Sequence, residues 1–182
     1  MSIGLIIGED DKLQFDYDNF SFNGTKNPVA GYTFNGISYN PADRVKATTE
    51  FDYIAVKWLP TYNTKNEHNF SWLFGINNSK ITTKMEAPGK NTEKTFKSFA
   101  PIVGVRYEIG ASTPTSYYGE IAAAVTSGNK YSYASELGVK KNLSKKADFV
   151  AGYRYLVAKA GSDDEYAKIS LSGPFLQLNY RF

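Results

Sequence analysis

Cysteine is absent from the 182-residue chain, histidine occurs once, and no apolar run approaches the ~18 residues that a membrane-spanning helix needs. The first absence excludes disulfide frameworks, thiolate metal sites and cysteine nucleophiles together. The second leaves His68 as the only imidazole for acid–base or metal chemistry. The longest apolar stretches, 3–7 and 121–125, are far too short to cross a bilayer as helices. A net charge of +3, with lysines dispersed along the chain, carries no nucleic-acid signature. Gly-x-Ser-x-Gly elbows, phosphate loops, His-Glu-x-x-His and calcium loops are also missing. Met1 is followed directly by Ser2 and Ile3, without a basic or apolar leader or an Ala-x-Ala site. That leaves a cytosolic protein, or a mature exported one whose leader has been replaced by methionine. One domain, 1–182, is expected from the length.

What the chain has is alternation, with aromatics at 15% to supply it. Val103, Val105, Tyr107 and Ile109 share one parity against Gly104, Arg106 and Glu108. The same rule governs 117–125, 131–140 and 149–158. His68, Phe70, Trp72, Phe74 and Ile76 form another apolar face, and 13–18, 32–34 and 45–53 follow the pattern. A period of two is the signature of a two-faced strand. Helix is rejected for 120–125 and 147–160, because Gly119, Ser127, Gly128 and Gly152 interrupt them and Tyr153, Tyr155 and Val157 recur at period two. Parity shifts predict a bulge near Ile54, Val56 and Trp58, and a bulge or kink around Gly173 and Pro174. Turn clusters separate strands of ~10 residues, the length that crosses a bilayer when tilted. The expected fold is all-β: an antiparallel up-and-down transmembrane barrel of about ten strands, with eight as the alternative count.

The last strand carries the most specific motif. Leu176, Leu178, Tyr180 and Phe182 alternate with Gln177, Asn179 and Arg181. This ending resembles the C-terminal strand of small bacterial outer-membrane β-barrel proteins, the OmpA/OmpX/OmpW-like group. The resemblance implies an outer-membrane location, and it implies that Leu176, Leu178, Tyr180 and Phe182 form the signal read by the barrel assembly machinery. It also places Phe182 at the periplasmic rim. Loops 38–44, 78–97, 127–130 and 159–165 would then lie outside, and 23–28, 60–67, 110–115 and 141–147 would lie in the periplasm. The expected partners are outer-membrane lipids and possible lipopolysaccharide, attracted to the loop lysines Lys80, Lys84, Lys90, Lys94 and Lys97. A monomer without nucleic acid is expected.

On the opposite face, small residues alternate with isolated charges, which suits a crowded interior better than a solvated exterior. The interior set is Asp16, Asp18, Glu50, Asp52, Glu108, Glu120 and Glu136 as acids, with Arg106, Lys140, Arg154, Lys168 and Arg181 as bases. Charges in a closed interior must be paired or wet. They form either a structural salt-bridge plug or the lining of a narrow, cation-favouring passage. His68 shares parity with Phe70 and Trp72 and follows a periplasmic turn, so a structural role in the lower interfacial belt is expected of it. Catalytic, cofactor-binding and metal residues are therefore assigned as none, and no cofactor is expected. The function expected is a non-enzymatic outer-membrane protein, either a porin-like channel or a structural or surface-interaction barrel. Its rivals are an outer-membrane lipid-modifying enzyme and a soluble lipocalin-like binder.

Overall fold

Alternating sequences pair into sheets, and the computed structural model, which describes residues 2–7, 11–64, 67–125, 130–144, 146–161 and 166–181, contains strands and no helix among them. In chain order they are β1 (Ser2–Ile7), β2 (Asp11–Lys26), β3 (Tyr32–Phe34), β4 (Ile37–Tyr39), β5 (Val45–Thr64), β6 (His68–Ala87), β7 (Lys90–Ile109), β8 (Thr115–Val125), β9 (Tyr131–Asn142), β10 (Ala147–Gly161) and β11 (Tyr166–Arg181). Eight long strands, β2 and β5 to β11, make one curled antiparallel sheet in which each pairs with its sequence neighbour. Short β1 pairs antiparallel with β2 (Ile3 opposite Tyr17) and parallel with β11 (Ile3 opposite Leu178), so the order of pairing is cyclic.

The count of about ten strands is corrected to eight long strands plus β1. Residues 32–34 do not span the sheet: β3 pairs only with β4, as a small separate hairpin. Residues 78–97, expected as a long loop, are strand almost throughout, because β6 and β7 pair without interruption from His68 opposite Ile109 to Ala87 opposite Lys90. Their reversal needs only Pro88 and Gly89, and Gly89 has a φ of 71°, which a side chain would resist. Loop 23–28 is corrected too. Residues 23–26 complete β2, paired with 45–48 of β5, and 27–28 open the connection to β5, at the same end as Gly89 and opposite the expected side.

Neither predicted bulge exists. The register of β5 with β2 and β6 is unchanged on both sides of Ile54, and Gly173 and Pro174 sit in unbroken register opposite Arg154 and Tyr153. What changes there is the surroundings. Phe51, Tyr53, Ala55, Lys57 and Leu59 all point inward, yet the outward residues pass from Lys46, Thr48, Glu50 and Asp52 to Ile54 and Trp58. β11 makes the same switch, from inward Ile169 and Leu171 to outward Leu176 and Leu178. The apolar side of the sheet thus exchanges faces partway up.

Below that line, at the end where β11 finishes, the exterior is apolar and the interior polar. Above it, Phe51, Ile81, Phe96 and Leu156 pack inside and polar residues face out. The upper parts of β2, β5, β6 and β7 extend beyond the shorter β8 and β9. The β3–β4 segment folds onto this extension. Tyr39 is fully buried and its hydroxyl donates to the Met85 carbonyl at 3.2 Å. Asn35 Nδ2 donates to Thr92 Oγ1 and to the Glu93 carbonyl. Lys90 Nζ reaches Asp43 Oδ2 at 2.6 Å and the Ser38 carbonyl at 2.8 Å.

Candidate functional site

The lower interior holds a layer of ionised side chains built from seven strands. β2 supplies Gln14, Asp16 and Asp18 on one inward parity, and Asp18 is 1% exposed. β5 supplies Lys57, β7 Arg106 and Glu108, β8 Tyr118 and Glu120, β9 Glu136 and Lys140, β10 Asp148 and Arg154, and β11 Gln177 and Asn179. Two arginine pairs are set by register, since Arg106 lies directly opposite Glu120 and Arg154 directly opposite Glu136. Arg106 Nε donates to Glu120 Oε2 at 2.8 Å, and Arg154 Nε to Glu136 Oε1 at 2.6 Å.

Other bonds cross the interior. Lys57 Nζ lies between Asp16 Oδ2 at 2.8 Å and Glu120 Oε1 at 3.0 Å, tying β5 and β2 to β8. Arg154 Nη1 reaches Asp18 Oδ2 at 2.6 Å, joining β10 to β2. Arg106 Nη2 reaches Gln14 Oε1 at 3.3 Å, and Gln14 in turn donates to Asp16 Oδ1 at 2.6 Å. Four carboxylates (Asp16, Asp18, Glu120, Glu136) therefore meet three cations (Lys57, Arg106, Arg154), leaving the cluster one negative charge in excess. Nearer the lower end Lys140 pairs with Glu108, which also accepts from Ser116 Oγ at 2.5 Å. Asn179 Nδ2 donates to Asp148 Oδ1 at 2.6 Å.

Glycines make room for this layer. A Cβ on Gly138 would stand 2.6 Å from the Tyr118 ring, and one on Gly152 would stand 2.8 Å from the Phe175 ring. Each aromatic lies in register with its glycine, Tyr118 opposite Gly138 and Phe175 opposite Gly152. The rings in turn carry the arginines, with Arg106 4.8 Å from the Tyr118 centroid and Arg154 4.8 Å from that of Phe175. Desolvated cation–π contacts of this kind add about 2 kcal/mol. The space beside the layer is a cavity of about 20 Å³ bordered by Gln14, Arg106, Glu108 and Lys140, room for about one water.

The structure brings together Asp16, Asp18, Arg106, Glu120, Glu136 and Arg154, with Glu108 and Lys140 as a neighbouring pair. It does not place Glu50, Asp52 or Lys168 inside. Glu50 and Lys168 are exposed on the outer face, and Asp52 accepts there from Asn19 Nδ2 and lies 3.9 Å from Lys80. These corrections share one cause, because all three stand above the line where the faces exchange and polar side chains turn outward. Lys57 is the residue that sequence reasoning misses. With Ile54, Val56 and Trp58 on the apolar outward face, as the predicted bulge has it, Lys57 already falls on the inward parity, where the structure buries it.

Leu176 and Leu178 point outward as the terminal alternation requires, while the side chains of Tyr180 and Arg181, and Phe182 altogether, lie outside the described residues. Asp163 and Asp164, the acidic pair expected as a solvated tip of loop 159–165, lie outside them as well. His68 is on the outer face at the lower end, with its ring stacked 5.8 Å from that of Tyr107 and Nδ1 3.1 Å from the Tyr107 hydroxyl. Among the described residues, no group of three or more His, Asp or Glu side chains converges as a metal site would require. Comparison with protein-family models, curated proteins and solved structures gives no match.

Proposed function

We propose that the chain is a bacterial outer-membrane β-barrel, without enzymatic activity, whose interior is closed by ion pairs and whose upper extension serves as a structural or surface-interaction element. One observation carries this reading: the lower sheet has its polarity reversed. Glu120, 2% exposed, lies beside Ile121, 64% exposed, and Glu136, 5% exposed, lies beside Leu137, 71% exposed. A water-soluble sheet with this pattern would lose hydrophobic free energy outside and bear the desolvation cost of ions inside. In lipid the same pattern is favourable.

The outward apolar run on β7, from Phe99 to Ile109, would stand roughly 24 Å tall at ~3.3 Å per residue and a 45° tilt, close to the ~25 Å band of such barrels. Trp58, Tyr62, Trp72, Tyr107 and Tyr117 are outward aromatics of the kind that line bilayer interfaces. Within the interior, Lys57, Arg106 and Arg154 bond directly to carboxylates of other strands, which favours a plug over a passage. Refolding into detergent should give heat-dependent migration on a gel and precipitation when detergent is withdrawn. A protein that stays soluble and monomeric without detergent would overturn the proposal, and ion-conducting openings in a planar bilayer would replace the plug with a channel.

A further inference from the structure

β1 closes only the lower part of the seam between β2 and β11. Its pairing reaches Tyr17 on β2 and Gln177 on β11. Above that, among the described residues, β2 is bonded only to β5 and β11 only to β10. The opening at the top of β1 is one strand wide, roughly 10 Å.

Its walls are apolar. Phe20 and Phe22 from β2 face Leu171 and Phe175 from β11, with Leu156 behind them, around a cleft of about 530 Å³. That volume lies within the ~300–1,000 Å³ typical of small-ligand sites. Arg154, held by Glu136 and Asp18, borders the cleft on the side of the charged layer. A second space of about 470 Å³, bounded by Phe22, Ile81, Phe96, Leu171 and Lys168, adjoins it. Gly173 lines the cleft, and a Cβ there would meet nothing within 4 Å, so a larger side chain would project into open space. Pro174 stands on the β11 wall and offers no N–H, which makes this edge a poor template for another strand.

Lys168, on the border of the second space, belongs to a cationic pair. Lys159 and Lys168 are direct cross-strand partners on the outer face, and Lys159 Nζ lies 4.2 Å from the Tyr166 ring centroid. Like charges placed opposite each other repel, and an anion shared between them relieves the repulsion. The pair stands just above outward Tyr153 and Tyr155, at the upper border of the apolar exterior on β10.

We propose that this seam holds one acyl chain of an anionic lipid from the surrounding membrane, with its phosphate on Lys159 and Lys168 and its chain against Phe20, Phe22, Leu171 and Phe175. The inference rests on the membrane-barrel reading. An acyl chain suits the apolar walls, and the lysine pair selects the charge of the headgroup.

The test uses the protein refolded into phosphatidylcholine nanodiscs carrying a trace of phosphatidylglycerol spin-labelled on its acyl chain, against equally labelled phosphatidylcholine. Electron paramagnetic resonance should detect an immobilised lipid with about thirtyfold preference for phosphatidylglycerol, given roughly 1 kcal/mol for each of the two lysines near an anionic headgroup. Lys159→Gln with Lys168→Gln should abolish the preference, and Gly173→Leu should remove most of the immobilised signal. Heat-dependent migration checks that each variant has folded. Equal immobilisation of the two lipids, or an unchanged signal in Gly173→Leu, overturns the site. A wild-type protein that enters nanodiscs without immobilising lipid overturns the site alone, whereas one that never enters them overturns the membrane reading as well.

Discussion

The lower and upper halves of the sheet are built on opposite rules from the same strands. On β2 the lower inward residues are Gln14, Asp16 and Asp18 and the upper ones Phe20 and Phe22, while outward Leu13, Phe15 and Tyr17 give way to Asn19 and Ser21. β5, β6, β7 and β11 make the same exchange. A strand has only two faces, so the medium on each side decides which must be apolar. The lower half keeps its apolar side chains outside and its charges within, and the upper half keeps polar side chains outside and an apolar core within. The halves therefore differ in what holds them together: ion pairs and stacked arginines below, packed aliphatic and aromatic side chains above.

Substitutions can break that contrast half by half. The largest effect is expected in the lower interior, where Lys57→Met leaves Asp16 and Glu120 facing each other across one lost cation. The cost should be about 3–5 kcal/mol in urea unfolding from detergent, as for other broken buried pairs. In the upper core Ile81→Ala should cost about 2–4 kcal/mol by truncation and leave the ion layer unaltered. Equal salt sensitivity of the two variants would argue that the halves are not distinct. On the exterior, Ile121→Arg should cost about 2–4 kcal/mol when unfolding is measured from a bilayer, and Thr95→Arg on the polar part of β7 less than ~0.5 kcal/mol. A similar cost at both positions would remove the boundary between the halves.

Smaller effects sharpen the contrast at the two ends. His68→Ala loses one stacked ring on the lower exterior, worth about 0.5–1.5 kcal/mol. On the non-enzymatic reading, this variant and the wild type should both leave incubated lipids chemically unchanged. Hydrolysis or acyl transfer by wild type that disappears in the variant would restore the enzyme reading.

At the upper end, Lys90 beside Asp43 holds that carboxyl below its usual range by direct hydrogen bonding, reinforced by the Asn40 amide. A depressed carboxyl contributes stability that is complete above the unfolded value of ~3.9 and is lost as pH falls through its lower folded value. The segment carrying β3 and β4 should therefore loosen in strong acid before the sheet does, read as faster amide exchange at Tyr32 and Tyr39, which flank the hairpin as a bonded pair. Asp43→Asn should weaken it at neutral pH and abolish the acid step.

Much of this fold is legible in sequence because strand alternation is local. Tyr117, Gly119, Ile121 and Ala123 reveal their common face without any neighbour, and the structure keeps it. The extended hairpin 78–97 is less visible, since Thr82, Thr83, Lys84, Thr92 and Lys94 read as polar loop until pairing supplies the reason for their β-conformation. The predicted bulges at Ile54 and Pro174 arise from assuming that apolar residues always keep to one side. That assumption leaves Lys57 on the inward side, where it lies, although the expected set omits it; Glu50, Asp52 and Lys168 are misplaced through the related one that polar residues in these strands face inward.

The sequence alone determines that the chain is all-β, where most strands lie and which side chains share a face, because backbone pleating fixes a period of two whatever the partners. Only the tertiary structure decides which face is inside at each height, that β2 reaches β5 across 27–44, and that Lys57, Arg106 and Arg154 find carboxylates on distant strands. Those outcomes depend on how the sheet curls and what its neighbours bury, and no single strand carries that information.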